Sequence, residues 1–451
     1  MPTWTELVSQ EFSGVDLGDE RLEKRCLQLA AKLSAQPNKS VPQACGTWSD
    51  TKAAYRFFSN DRVTREKLLE PHIGQTIRRS NERTAIIAIQ DTTYFTMGHQ
   101  ATVGLGSIGG FDEVQGFVAH SALAVCGDNG EVLGLMHQEV WARGERKPKN
   151  EKTVQRRRRP RESERWTRGI EQVCQLGIAA KVLHVFDREG DIYEALELLD
   201  RTRQGFVIRA SSNRRLSNGQ EYLFDKIRAT GELGRIEIEV PAKKKQPGRK
   251  AALTVRAATL RIRPPLEFHG KGREIEVGII QLCETRPPIG EEALEWLLLT
   301  SEAHATVEDC AKVARHYSKR WKIEEFHMGL KTGCAVEERQ LQTRDRLEAF
   351  LGLANVIAVL LLRLRDATRN DQSPLATHLL SPIQTKLLAA RYPKIGDNPS
   401  SREALRTIAQ LGGFLARKGD GEPGWRTIWR GMQSLLLMEY GYITAATEKC
   451  G

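Results

Sequence analysis

Three acidic side chains carry the most chemistry in this sequence. Asp91 follows the apolar run Ala85-Ile-Ile-Ala-Ile89 as Gln90-Asp91, and Asp187 follows Val182-Leu-His-Val-Phe186. Each is expected at the end of a buried strand. In an open α/β sheet, strand ends open on a common crevice, so two acids far apart in the chain can meet there. Hard divalent cations such as Mg²⁺ take oxygen ligands and need only a few carboxylates. A strand-end aspartate taken alone is more often a turn or cap residue, by about two to one. Asp191, just ahead of an expected helix Ile192–Arg203, is read as such a cap.

The third acid is expected on a long helix from about Thr306 to Thr332. With Tyr317 set to zero and about 100° per residue, Arg320 falls near −60°, Glu324 near −20° and Lys331 near −40°. The four share one face roughly 21 Å long. A stripe of Tyr, Arg, Glu and Lys contributes nothing to an apolar core. It suits holding a metal beside a phosphate backbone.

The elements that must position these residues follow from periodicity. Leu22, Cys26, Leu29 and Leu33 recur at helical spacing behind a capping Asp19, and a second helix is expected over Asp50–Ser59. The first 70 or so residues read as a small helical domain with basic faces. From Thr84 the pattern becomes β: after the first strand, Phe117–Cys126 and Glu131–Trp141 flank Asp128-Asn-Gly130, a hairpin turn. A helix (Glu162–Gln175), a strand (Lys181–Phe186), the helix Ile192–Arg203 and a strand (Phe206–Ala210) follow. Three strands and then alternating helices and strands is the order of a ribonuclease-H-like α/β core. That core is expected over 71–370, interrupted by a β-rich insertion at about 211–300. A strongly apolar helix, Arg346–Arg365, closes it, and residues 371–451 read as a helical C-terminal domain marked by Leu405, Ile408, Leu411, Leu415 and by Ile428, Met432, Leu435, Leu436.

The 451 residues carry 68 Lys+Arg against 57 Asp+Glu, a net charge of +11, which favours a polyanionic partner. Between Arg143 and Arg168 stand 12 basic and 4 acidic residues, including Arg156-Arg-Arg-Arg159, and Lys243–Lys250 adds five more cations. Counterion release on phosphate binding uses concentrated charge of this kind; a solvated loop is the plainer alternative. The longest apolar run, Leu351–Leu362, is interrupted by Asn355 and too short to span a bilayer, and the N-terminus lacks a secretory pattern. Eight scattered cysteines without a CxxC pair argue against a zinc site or a disulfide scaffold. No membrane association and a cytoplasmic location are expected.

Tyr317-x2-Arg320-x3-Glu324-x6-Lys331, within HYSKRWKIEEFHMGLKTG, resembles the signature helix of the Tn5-type transposases (insertion-sequence family four). Asp91 in IQDTTYF, Asp187 in VFDREGDIY and Glu324 match that family's catalytic triad of acids. GDERLEKR, AAYRFFSN, GLMHQEVW and EWLLLTSE extend the likeness over most of the chain. Met328 departs from it, standing where relatives carry a lysine. The resemblance implies cut-and-paste DNA transposition in a bacterial, nucleoid-associated protein. Asp91, Asp187 and Glu324 would hold two Mg²⁺ ions about 3.5–4 Å apart, with Mn²⁺ able to substitute. Water would free a 3′-OH at the element end, the hydroxyl would form a hairpin, water would reopen it, and the 3′-OH would attack target DNA.

On the same resemblance, Tyr317, Arg320 and Lys331 would grip phosphates, and Trp296 would receive a flipped base beside the hairpin. A tryptophan opening an apolar strand is otherwise usually core. The N-terminal helices would bind transposon-end DNA, with Arg21, Lys24, Arg25 and Lys32 as candidates. The C-terminal helices would form the homodimer that synapses two ends. Two alternatives stand beside this: a ribonuclease-H-like nuclease that only hydrolyses, and a catalytically silent DNA-binding or inhibitor homologue. Retention of all three acids argues against silence. Gly104-Leu-Gly-Ser-Ile-Gly109 is a formal GxGxxG without the strand–helix context a dinucleotide site needs, and reads as a flexible loop. His327 reads as a helix-packing residue.

Overall fold

The computed structural model describes residues 4–98, 102–108, 114–144, 161–240, 249–268, 272–288, 290–369, 380–396 and 399–448. Arg156–Arg159 and Lys243–Lys245 lie outside them. Five helices come first: α1 (Trp4–Glu11), α2 (Glu20–Ala35), α3 (Val41–Cys45), α4 (Trp48–Phe58) and α5 (Arg65–Asn81). Asp19 accepts hydrogen bonds from Arg21 N and Leu22 N and so starts α2, while Cys26, Leu29 and Leu33 form its buried side. Thr47 and Thr64 cap α4 and α5 in the same way.

The strands are β1 (Ala85–Thr96), β2 (Gly106–Ser107), β3 (Gln115–Cys126), β4 (Val132–Trp141), β5 (Lys181–Phe186), β6 (Gly205–Arg209), β7 (Gly234–Val240), β8 (Arg249–Ile262), β9 (Ile275–Glu284) and β10 (Glu295–Thr300). They join one sheet in the order β2-β3-β1-β5-β6-β10-β9-β8-β7, with β4 on β3. The β3–β4 hairpin turns at Asn129-Gly130, where Gly130 takes φ 74° and its N–H returns to Cys126 O. Strands β5 and β6 run parallel to β1, reached by the crossover helices α6 (Arg165–Gln175) and α7 (Tyr193–Arg201). This mixed sheet, antiparallel first and then parallel, is the ribonuclease-H-like core.

Several expectations are redrawn. The segment 211–300 continues the same sheet: β10 pairs with β6, and β9, β8 and β7 follow, with α8 (Leu223–Ala229) beside them. Arg249 and Lys250 open β8 instead of a basic loop, and Arg249 is engaged by Glu284 and Glu291. The helix expected over 306–332 is three pieces: α9 (Val307–Ser318), α10 (Trp321–Met328) and a π-helical turn, Gly329–Gly333. The break comes where Arg320 N–H bonds Tyr317 O and Ile323 N–H bonds Arg320 O, a tighter three-residue pattern than the α-helix uses. Gly106 and Ser107 of the glycine-rich stretch pair with β3 instead of looping free.

The 26-residue α11 (Arg344–Arg369) is the spine of the core. By length and composition it could cross a membrane, yet 89% of its apolar window is buried against the rest of the fold. The chain ends in α12 (Pro382–Arg391), α13 (Ser401–Leu411) and α14 (Trp425–Glu448). Leu405, Ile408, Ile428, Met432 and Leu435 are buried as their spacing suggests, whereas Leu415 lies past the end of α13 and is exposed.

Candidate active site

Asp91 is not at the end of its strand. It sits in the middle of β1, but the partner β5 stops at Phe186, so the β5 side of β1 opens there. In the parallel register Ile89 lies opposite Val185. Two residues further along come Asp91, still within β1, and Asp187, just past the end of β5. Sheet register thus does what sequence distance hides: it sets the two aspartates side by side where the ladder ends. Asp187 turns into a 3-10 turn (Arg188–Gly190) and accepts Glu189 N–H at 2.9 Å; Asp91 accepts Thr92 N–H at 2.8 Å.

The third acid arrives through an arginine. Arg320 Nη2 is 2.6 Å from Glu324 Oε1, and Nη1 is 3.9 Å from Asp91 Oδ2. The electrostatics of Asp91 reflects that proximity. Burial first, and then the charge of Asp187, push the Asp91 carboxyl up to about 7; Glu324 adds to the rise, and Thr92 N–H and Arg320 oppose it. Among the described residues, no group of three or more His, Cys, Asp or Glu side chains forms a ready metal shell. The Arg320 guanidinium reaches both Asp91 and Glu324 instead. The donor set still fits Mg²⁺ or Mn²⁺: all three side chains offer hard carboxylate oxygens, and a divalent cation relieves the repulsion that raises Asp91.

The rest of the expected stripe is split by the helix break. Tyr317 is 4% exposed, so it is wall, not contact surface: its ring meets Trp296 edge-on, centroids 5.3 Å apart at 69°, and Arg209 bonds its hydroxyl. Trp296 is half-buried on β10. Lys331, in the π turn, stands 5.8 Å above the Phe95 ring and 3.9 Å from Glu337. Arg426 of α14 reaches the Met328 sulfur at 2.9 Å. His327 is buried beside Phe326, and burial lowers its pKa to about 3, in keeping with a packing role.

On α2, Arg21 and Lys24 are exposed, Lys24 lying 3.6 Å from Glu20. Arg25 and Lys32 instead reach Asp50 of α4 at 3.5 and 2.7 Å, which spends their charge on holding two helices together. The described cations of the 143–168 stretch are also engaged: Arg143 with Glu162, Arg161 with Glu194, Arg165 with Glu189, Arg168 with Glu139. Asp191 is not a helix cap. It is buried, pairs with Arg214 at 2.6 Å and accepts the N–H groups of Ser211 and Ser212, anchoring the chain after β6.

Two largely buried polar groupings escaped sequence reasoning, the first ending on the exposed Glu189. One joins Gln90, Thr92, His120, Arg165 and Glu189 behind the aspartates. The other gathers His72, Arg79 and Arg363 around Glu11. The available signals were a histidine inside the apolar strand FVAHSALAVC and an arginine directly after the apolar run of α11.

Comparison with known families gives three matches in chain order: residues 4–63 with a transposase DNA-binding domain, 156–361 with the transposase DDE domain, and 383–448 with the transposase Tn5 dimerisation domain. A ribonuclease-H-like core carrying a DDE-domain match defines the class, the DDE transposases. Within that class, flanked by those two further domains, the chain belongs to the Tn5-type family. Asp187 and Glu324 fall inside the DDE-domain match, and Asp91 precedes it. Among solved structures, one similar chain is described as "Cryo-EM structure of piggyBac transposase synaptic complex with hairpin DNA (SNHP)". Identity is 9% and the TM-score 0.34, over 66% of this chain and 51% of that one, so this chain spans about half the length of that neighbour.

Proposed function

We propose that this chain is a cut-and-paste DNA transposase whose active site is Asp91, Asp187 and Glu324. The observation that carries the reading is the β1–β5 register, which brings Asp91 beside Asp187 just where Arg320 links Asp91 to Glu324. The three carboxylates would hold two Mg²⁺, or Mn²⁺ in their place. When bound, the ions supply activation of the attacking oxygen and stabilisation of the leaving one.

The chain's own residues do the rest. Near neutral pH the Asp91 carboxyl, its pKa raised to about 7, is partly protonated, and holding a cation would require it to be ionised. Arg320 has a phosphate to exchange for Glu324 once DNA arrives, and Lys331 offers a second cation on the same side. Trp296, held edge-on by Tyr317, presents a half-buried aromatic face that suits a flipped base. In the first cut a water oxygen attacks phosphorus and gives up a proton, the P–O3′ bond breaks, and the departing 3′ oxygen takes up a proton. That 3′-OH then attacks the opposite strand to close a hairpin, water opens it, and the same 3′-OH joins target DNA. Each step exchanges one P–O bond for another, so one acidic site serves throughout.

The organisation follows: 1–70 as a DNA-binding domain, 71–370 as the catalytic core with its insertion, and 371–451 as a dimerisation domain. Transposon-end DNA and target DNA are the partners, and a homodimer synapses two ends. The test is incubation of purified protein with DNA bearing the element's own ends, a target plasmid and Mg²⁺. Hairpin ends and joined products are expected. Nicks without hairpins or joining would support a plain nuclease, and end binding without cleavage the silent homologue.

A further inference from the structure

Behind the two aspartates, on the other face of β1, runs a chain of polar side chains with no part in the chemistry above, buried at Gln90, His120 and Arg165 and reaching solvent at Glu189. Side chains alternate along a strand, so Gln90 and Thr92, either side of Asp91, point away from the acid pocket. One residue of β3 holds both. His120, fully buried, places Nε2 3.0 Å from Gln90 Oε1 and Nδ1 2.9 Å from Thr92 Oγ1. Arg165, the first residue of α6 and 8% exposed, completes the chain: Nε donates to Thr92 Oγ1 at 2.8 Å and Nη2 to Glu189 Oε2 at 2.8 Å. Glu189 belongs to the 3-10 turn whose backbone N–H holds Asp187 Oδ1.

With the Gln90 carbonyl oxygen facing the ring, the donors and acceptors run in one direction. Gln90 Oε1 can only accept, so His120 Nε2 carries the hydrogen and Nδ1 accepts. The Thr92 hydroxyl gives its hydrogen to Nδ1, which leaves its lone pairs for the Arg165 Nε–H. Such a chain needs a neutral imidazole, and burial, with the charge of Arg165 next, keeps the His120 pKa well below its usual value.

We infer that Arg165 is a positioning residue that fixes the separation of Asp91 from Asp187. The inference rests on the reading of those two aspartates as metal ligands. The need for a clamp follows from the register. The last registered β1–β5 pair is Ile89 and Val185, so the sheet ladder stops before the acids. Arg165 supplies a cross-link just past that point, through Thr92, next to Asp91, and Glu189, two residues after Asp187. Mg²⁺ demands near-ideal octahedral geometry, so the spacing of its ligands matters.

The test is a calorimetric Mn²⁺ titration of the full chain, alongside cleavage and end-binding assays. Arg165→Met is expected to weaken Mn²⁺ binding about 10–100-fold, the usual cost of losing a group that orients metal ligands, and to slow Mg²⁺-dependent cleavage similarly. End-DNA affinity stays near wild type. Thr92→Val shifts Mn²⁺ affinity in the same direction, while Thr92→Ser, which keeps the hydroxyl, restores it. A residue that only stabilised the fold would lower Tm and leave the Mn²⁺ affinity of the folded protein unchanged. Wild-type Mn²⁺ affinity in Arg165→Met and Thr92→Val overturns the inference; if Arg165→Met does not fold, the Val/Ser pair at Thr92 decides it. If the wild-type chain binds Mn²⁺ but cuts no DNA, the transposase reading fails while the Mn²⁺ comparison still judges Arg165. If it binds no Mn²⁺, both fall.

Discussion

Asp91 and Glu11 are carboxylates withdrawn from water in one molecule, and they respond to burial in opposite directions. Around Asp91 the neighbours are more acid, Asp187 and Glu324, and the carboxyl rises to about 7. Around Glu11 they are hydrogen-bond donors, two arginines and the Nδ1–H of a buried histidine. Burial again pushes its pKa up, but His72 at 2.6 Å, Arg79 at 2.6 Å and Arg363 at 3.1 Å outweigh it and hold the carboxyl far below its ordinary value. The Glu11 node ties α1 to α5, β4 and α11: Arg79 also donates to Leu133 O, and His72 Nε2 accepts Leu135 N–H. Burial alone therefore does not mark a functional acid. What separates the two is whether the surrounding charge has been balanced by the protein or left for something else to balance.

The largest effect that distinguishes them is on stability. Glu11→Gln leaves Arg79 and Arg363 buried without their carboxylate, and thermal or urea unfolding should show a loss of roughly 3–5 kcal/mol. Its pH dependence has a defined sign. Glu11 has a lowered folded pKa, so its contribution is complete above about pH 4.5 and is lost as pH falls through the folded value. The Gln variant should show a flatter acid limb, and equal acid sensitivity in both proteins would remove Glu11 from that role.

Asp91→Asn should act in the opposite sense on the metal-free protein. A carboxyl raised from 3.8 to about 7 makes the folded state bind the extra proton, so stability falls as pH climbs from about 4 to 7. Above pH 7 the Asn variant should be the more stable one, by on the order of 4 kcal/mol at most. A lower Tm than wild type at pH 8 would contradict the picture of an unbalanced charge cluster.

Smaller effects sharpen the assignment of the surrounding residues. Trp296→Ala should impair hairpin formation more than first-strand nicking, by roughly the 1–3 kcal/mol of one base stack. Equal loss in both steps would make Trp296 merely a partner for Tyr317. Lys331→Ala should weaken end binding and reduce the salt slope by about one unit; an unchanged slope would take it out of the interface.

Asp91 and Asp187 stood out in the sequence because each follows an apolar run, and Glu324 because it recurs with Tyr, Arg and Lys at helical spacing. Their meeting was legible only as a possibility, since it depends on the register of Ile89 with Val185. The helical face was read too simply: a three-residue turn at Arg320 breaks it, so Tyr317 became wall and Arg320 turned toward Glu324. Basic residues misled most. Arg25, Lys32 and Arg249 read as free charge, and each is spent on an acid that sequence spacing could not show, because those partners lie 18 to 42 residues away. The Glu11 node spans 352 residues from Glu11 to Arg363, beyond any local pattern.

The comparison between the two acidic regions reduces to one calorimetric experiment, Mn²⁺ titrated into Asp91→Asn, Asp187→Asn, Glu324→Gln and Glu11→Gln at a temperature where all four are folded. Loss of binding in the first three, with wild-type affinity in Glu11→Gln, is the expected result. Unimpaired Mn²⁺ binding in Asp91→Asn and Asp187→Asn would contradict the claim that register builds a metal site between them.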